Sequence, residues 1–156
     1  MKKIILSLVL VLILVTGAYL FYDFKTKKAQ KEYYKTLYIK DLDPESFITI
    51  CKDRYNKTPI NSVTMTGEFP ENWVKPDDVQ YLISIIRSQE KCCGYMNIFS
   101  SYLSTEDAEI GGFAIIFLNS YISKKKINLG LNCYPKTDRE SIKKIEIWYK
   151  SSVHAN

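Results

Sequence analysis

Histidine occurs once in this sequence, as His154 beside the C-terminus. That scarcity excludes a Ser-His-Asp or Cys-His catalytic arrangement inside a folded core, and it excludes a histidine cluster holding a catalytic metal. No Cys-x-x-Cys is present, which removes thioredoxin-type redox chemistry. The adjacent pair Cys92-Cys93 lacks the separation of a zinc knuckle, and no second close pair accompanies it. Gly111-Gly112 is followed by no Gly-Lys-Ser/Thr, so a phosphate loop is absent too. The acidic groups Asp77-Asp78 and Glu106-Asp107-Glu109 fall in the first turns of expected helices, where acids stabilise the positive end of the dipole. These absences argue against an enzyme, a cofactor or a small-molecule substrate.

The chain does contain enough apolar sequence for one compact domain. Its 156 residues are 46% hydrophobic and 25% charged, unlike a disordered or collagen-like chain. The formal net charge of +5 is unevenly placed. Residues 25–40 hold six Lys against Glu32 alone, whereas residues 41–156 hold 14 basic and 15 acidic side chains. A domain without basic excess is a poor nucleic-acid binder.

Lys2-Lys3 precedes 19 residues without a charge, Ile4 to Tyr22, which as a helix would cover about 28 Å at 1.5 Å per residue. That length suits a membrane-spanning segment in residues 4–22, with Tyr19, Leu20, Phe21 and Tyr22 at the headgroup level. The same residues also fit a secretory signal cleaved after Ala18. The expected organisation is a signal-anchor or transmembrane segment at 1–24, a lysine-rich juxtamembrane stalk at 25–40, a helical domain at 41–150 and a disordered tail at 151–156. The lysines after the span favour a cytoplasmic domain, while the short basic start before an apolar run favours export. A single-pass protein with its domain on the periplasmic or extracytoplasmic side is the expectation, with secretion or a cytoplasmic domain as alternatives.

Helix signals dominate the rest. Asp43-Pro44-Glu45 opens a helix to about Tyr55, and Lys75-Pro76-Asp77-Asp78 opens another with Val79, Leu82, Ile83 and Ile86 on one face. Val63 to Thr66 alternates only briefly, allowing a short extended segment or a loop. Tyr95 to Leu103 reads as a short helix. Ser104-Thr105-Glu106-Asp107 matches a capping box, opening a buried helix to Ile122. Gly111-Gly112 inside it requires either close approach of a neighbouring helix, such as the one carrying Leu82 and Ile86, or a later helix start. Asp138 caps a last helix with Ile142, Ile145, Trp148 and Tyr149 on one face, although Ile145 to Tyr149 also alternates as a strand would. The fold class expected is therefore all-α, a bundle of four to five helices.

Cys51, Cys92, Cys93 and Cys133 are even in number and lie beyond the apolar segment. In an oxidising compartment they are disulfide candidates, with Cys92 and Cys93 each pairing with Cys51 or Cys133, since a vicinal bridge is strained. The competing reading makes Cys51 a buried apolar thiol. Phe69 and Trp73, flanking Pro70, are the candidate partner contacts.

Trp73, Asp78-Val79, Leu82-Ile83, Ile86, Ser100-Ser101-Tyr102, Gly112 with Ala114, and the Ile-x-x-Ile-x-x-Trp-Tyr ending at Tyr149 together resemble small bacterial proteins of HEAT-like helix pairs, over about residues 70–150. Some proteins of that style antagonise bacterial toxins. The resemblance thus implies paired helices and an interaction role. The expected function is non-catalytic recognition of a protein partner at the bacterial envelope, with toxin neutralisation as its narrower form. The alternative is an assembly subunit that contacts partners through its spanning helix.

Overall fold

A computed structural model describes residues 2–33, 36–57, 60–102 and 104–153, with side chains described from residue 10 except at 26, 28–33 and 153. His154 and the end of the expected tail lie outside the described residues. The chain divides into two compact units, Met1–Lys35 and Thr36–Asn156.

The first unit is one helix, α1, Lys2–Tyr33. Asp23 and Lys27 pair across one turn at 2.8 Å, and the Thr16 hydroxyl donates back to the Leu12 carbonyl at 2.8 Å. The lysine-rich stretch expected as a stalk is helical as far as Tyr33. Among the described residues no helix is long and apolar enough to cross a membrane. On that finding the membrane-spanning segment at residues 4–22 and the single-pass placement are corrected; the side chains of residues 4–9 lie outside the description.

The second unit corrects the all-α expectation. It begins with β1 (Leu37–Tyr38) and a 3-10 turn (Ile39–Asp41), then α2 (Pro44–Arg54), β2 (Ser62–Thr66) and α3 (Pro76–Ile85). Next come β3 (Lys91–Cys92), β4 (Gly94–Asn97), β5 (Ala108–Glu109), α4 (Ile110–Ser123), β6 (Asn132–Cys133) and α5 (Arg139–Val153). A four-stranded sheet runs β1-β2-β4-β6, parallel except for β6, and β3 and β5 form a separate antiparallel ladder. The expected HEAT-like bundle of paired helices is thus replaced by helices packed on a mixed sheet.

Strand brevity explains the miss. Among the described residues four of the six strands are two residues long, too short to show alternation. β4 buries Gly94, Tyr95 and Met96 in succession, so the expected helix from Tyr95 finds no period-two pattern to oppose it. Only β2 alternates over part of its length, with Val63 and Met65 buried and Thr64 exposed.

Helix starts follow their caps. The Asp43 carboxylate accepts from the Ser46 N–H at 2.7 Å with Pro44 at the first helical position, and Asp138 caps α5 through the Ser141 N–H at 2.7 Å. That second cap settles residues 139–153 as helix. At Ser104 the hydroxyl accepts from the Glu106 N–H at 3.0 Å, which forms a turn, and α4 starts only at Ile110.

Phe47 of α2 centres the core, with ring centroids of Phe113 and Phe117 at 5.2 and 5.3 Å and those of Phe69, Trp73 and Tyr95 within 6.5 Å. Gly111 explains how α4 enters this core. A β-carbon there would meet the carbonyl oxygens of Ile86 and Ser88 at 2.5 and 2.7 Å, and one on Gly112 would meet Pro135 at 2.6 Å. Close approach to the end of α3 is the reason for the first glycine.

Candidate functional site

Parallel β2 and β4 end side by side, and the chain leaves both at that edge of the sheet. Gly67-Glu68-Phe69 continues from β2, and Ile98-Phe99 continues from β4. The segment after α4 returns beside them: the Asn97 N–H donates to the Leu131 carbonyl at 2.8 Å, and the Ile98 N–H donates to the Met65 carbonyl at 3.0 Å. Residues 67–69 after β2, Tyr95 and Asn97 of β4 and residues 126–131 after α4 line a cavity of about 560 Å³. The carboxyl ends of parallel strands are where open α/β sheets hold ligands, because the chain diverges there and leaves a crevice.

The cavity has an aromatic and aliphatic wall from Phe69, Tyr95, Ile127 and Leu129. Its polar groups are partly committed. The Asn97 side-chain amide donates to the Tyr95 hydroxyl at 3.1 Å, and its oxygen accepts from the Phe99 N–H at 3.0 Å. Burial pushes the Tyr95 phenol up, so it remains neutral. At the rim Lys126 and Glu68 pair at 2.6 Å, and the ammonium holds the Glu68 carboxyl below its usual value. Leu131 of the lining is exposed, and so are Ile98, Phe99 and Tyr102 in the segment that follows the lining residue Asn97, Phe99 to 85%.

The candidate cysteines are placed elsewhere. Cys51, Cys92 and Cys93 are buried and Cys133 is half-buried, and all four thiols are free. The Cys93 N–H donates to the Cys51 carbonyl at 2.9 Å, bringing α2 against the start of β4. Cys133 stands in register with Tyr95 on β6. Burial pushes Cys92 up to about 12 and Cys93 and Cys133 up to about 11, and it raises Cys51 strongly. Such thiols are neutral at physiological pH and behave as small apolar groups. Among the described residues no group of three or more His, Cys, Asp or Glu is placed to hold a metal ion.

The acids expected as helix caps divide. Asp78 accepts from the Lys75 N–H at 2.6 Å at the start of α3. Asp107 and Glu109 instead anchor loops. Asp107 accepts from Lys91 at 2.8 Å and from the Asn61 amide at 2.9 Å, while Glu109 accepts from both the N–H and the hydroxyl of Thr137.

Phe69 and Trp73, the expected partner contacts, sit in the core at 3% and 6% exposure, and the Trp73 indole N–H donates to the Leu42 carbonyl at 2.6 Å. Phe69 nonetheless forms part of the cavity wall. An exposed aromatic that sequence reasoning missed is Phe99. Its neighbours suggested a helix running to Leu103, which would have turned Phe99 inward; ending β4 at Asn97 frees it. No family model matches this chain, and no curated protein or solved structure matches it either.

Proposed function

We propose that the second unit is a non-catalytic protein-recognition domain whose contact surface is the rim of the cavity at the carboxyl ends of β2 and β4. The observation that carries this reading is the exposure of Leu131 in the cavity lining and of Ile98, Phe99 and Tyr102 in the segment that follows the lining residue Asn97. Exposed large apolar side chains cost solubility, and their clustering at a concavity is the pattern of a protein contact. The cavity takes an apolar side chain of the partner against Phe69, Tyr95 and Leu129, while Lys126 and Glu68 at the rim orient its backbone or a polar neighbour. Toxin neutralisation, the narrower form of this reading, came from the helix-pair resemblance and loses that support with the correction to the fold. Assembly through a spanning helix loses its support with the correction to that segment.

The test is affinity capture with the full chain and with a Phe99→Ser, Leu131→Ser variant of unchanged melting temperature. A reproducible protein retained by the first and lost by the second is expected. Identical sets retained by both remove this surface from consideration.

A further inference from the structure

A second concavity of about 200 Å³ opens between the start of α3 and the end of α4, and Lys75, Lys124 and Lys125 line it with Asn72, Ser120 and Tyr121. None of the three lysines forms an ion pair among the described residues, whereas Lys52, Lys91, Lys126 and Lys136 each lie against a carboxylate. The nearest acids in sequence, Asp77 and Asp78, are not part of the lining, and Asp78 is engaged by the backbone N–H of Lys75.

Helix electrostatics account for only two of these cations. Lys124 and Lys125 follow α4, where positive charge complements the dipole. Lys75 is at the N-cap of α3, where a cation opposes the dipole and where Ser, Thr, Asp or Asn would serve as a cap. Lys124 is also held in place. Its backbone is left-handed, with φ 56°, a conformation that disfavours any residue bearing a β-carbon. The ammonium lies 4.2 Å from the centre of the Tyr121 ring, and Tyr121 is itself braced edge-on against Trp148 at 6.0 Å.

We propose that this concavity binds the phosphate group of a small phosphorylated ligand. Lysine ammonium groups are rotatable point charges of the kind that bind a phosphate dianion, and the lining has three lysines and no acid. The volume accommodates a phosphate with little of the group that bears it. The site is separate from the rim of the larger cavity and does not depend on the protein-recognition reading.

Titration of the full chain with inorganic phosphate, followed by calorimetry and by amide shifts, tests the proposal. Saturable binding is expected, weakening as salt is added, with acetate at least tenfold weaker at equal ionic strength. Lys75→Gln, Lys124→Gln, Lys125→Gln together should weaken phosphate at least tenfold with the melting temperature retained. Lys143→Gln, Lys144→Gln, Lys150→Gln on α5 should leave it within twofold, as a control for net charge. Absence of saturable binding, acetate as tight as phosphate, or an equal loss in the two triple variants overturns it.

Discussion

The carbonyl oxygen of Ile86 stands 2.5 Å from the point that a β-carbon on Gly111 would occupy. The same backbone contact is completed by the Gly111 N–H, which donates to the Ser88 carbonyl at 2.9 Å. Two main chains touch here with no side chain between them, and the end of α3 thereby fixes where α4 begins. Gly111→Ala should gain about 1 kcal/mol of helix propensity and lose more than that to overpacking, for a net loss of about 1–2 kcal/mol. Urea denaturation checks this; a variant more stable than the parent would show that the α3 carbonyls yield easily.

Phe47 and Phe99 should respond oppositely to truncation. Phe47 is fully buried among five aromatic rings, and Phe47→Ala should cost about 3–5 kcal/mol, a large part of a domain's typical 5–15 kcal/mol. Phe99→Ser should change stability by no more than about 0.5 kcal/mol, since its ring contacts mostly water. Comparing the two melting curves separates core from surface directly.

What the sequence made legible was local. Asp43-Pro44, Pro76 and Asp138 mark three of the helix starts, because a cap is written in two or three neighbouring residues. The sheet was not legible, since β1 and β6 hold two residues each and their pairing depends on partners far along the chain, Met65 for Leu37 and Tyr95 for Cys133. The cavity followed the sheet into obscurity. Its residues come from three segments that only parallel pairing of β2 with β4 brings together. Phe69 and Trp73 were picked out as aromatic, but neighbouring residues alone carry no information on which way a ring turns in a loop.

Acid should weaken the second unit through Asp107 and Glu109. Hydrogen bonds from Lys91 hold the first carboxyl below its usual value, and those from Thr137 do the same for the second. The unfolded chain titrates these groups near about 3.9 and 4.3, so it binds more protons than the folded one in that range. Their contribution is therefore present above about pH 5 and is lost as pH falls through the lower folded values. Asp107→Asn and Glu109→Gln should each flatten the dependence of the urea midpoint between about pH 5 and 3.

The thiols should be protected in the native state. With Cys92 raised to about 12 and Cys93 to about 11, neither supplies thiolate at pH 8, and burial blocks access as well. A maleimide should label half-buried Cys133 first and Cys51, Cys92 and Cys93 only on unfolding. Because folding raises these pKa values, their stabilising effect is full below the unfolded value of about 8.5 and fades as the solution becomes more alkaline. Rapid labelling of all four in the native protein, read by mass spectrometry, would overturn this.

The four-stranded sheet ends in β1 on one side and β6 on the other, each only two residues long. An unpaired strand edge is a template on which another chain can add, and its hazard grows with the number of free N–H and C=O groups in a row. Two residues present too few to seed a growing ladder. The brevity that hides this sheet from sequence reading also leaves it with little exposed edge on which fibrils could start.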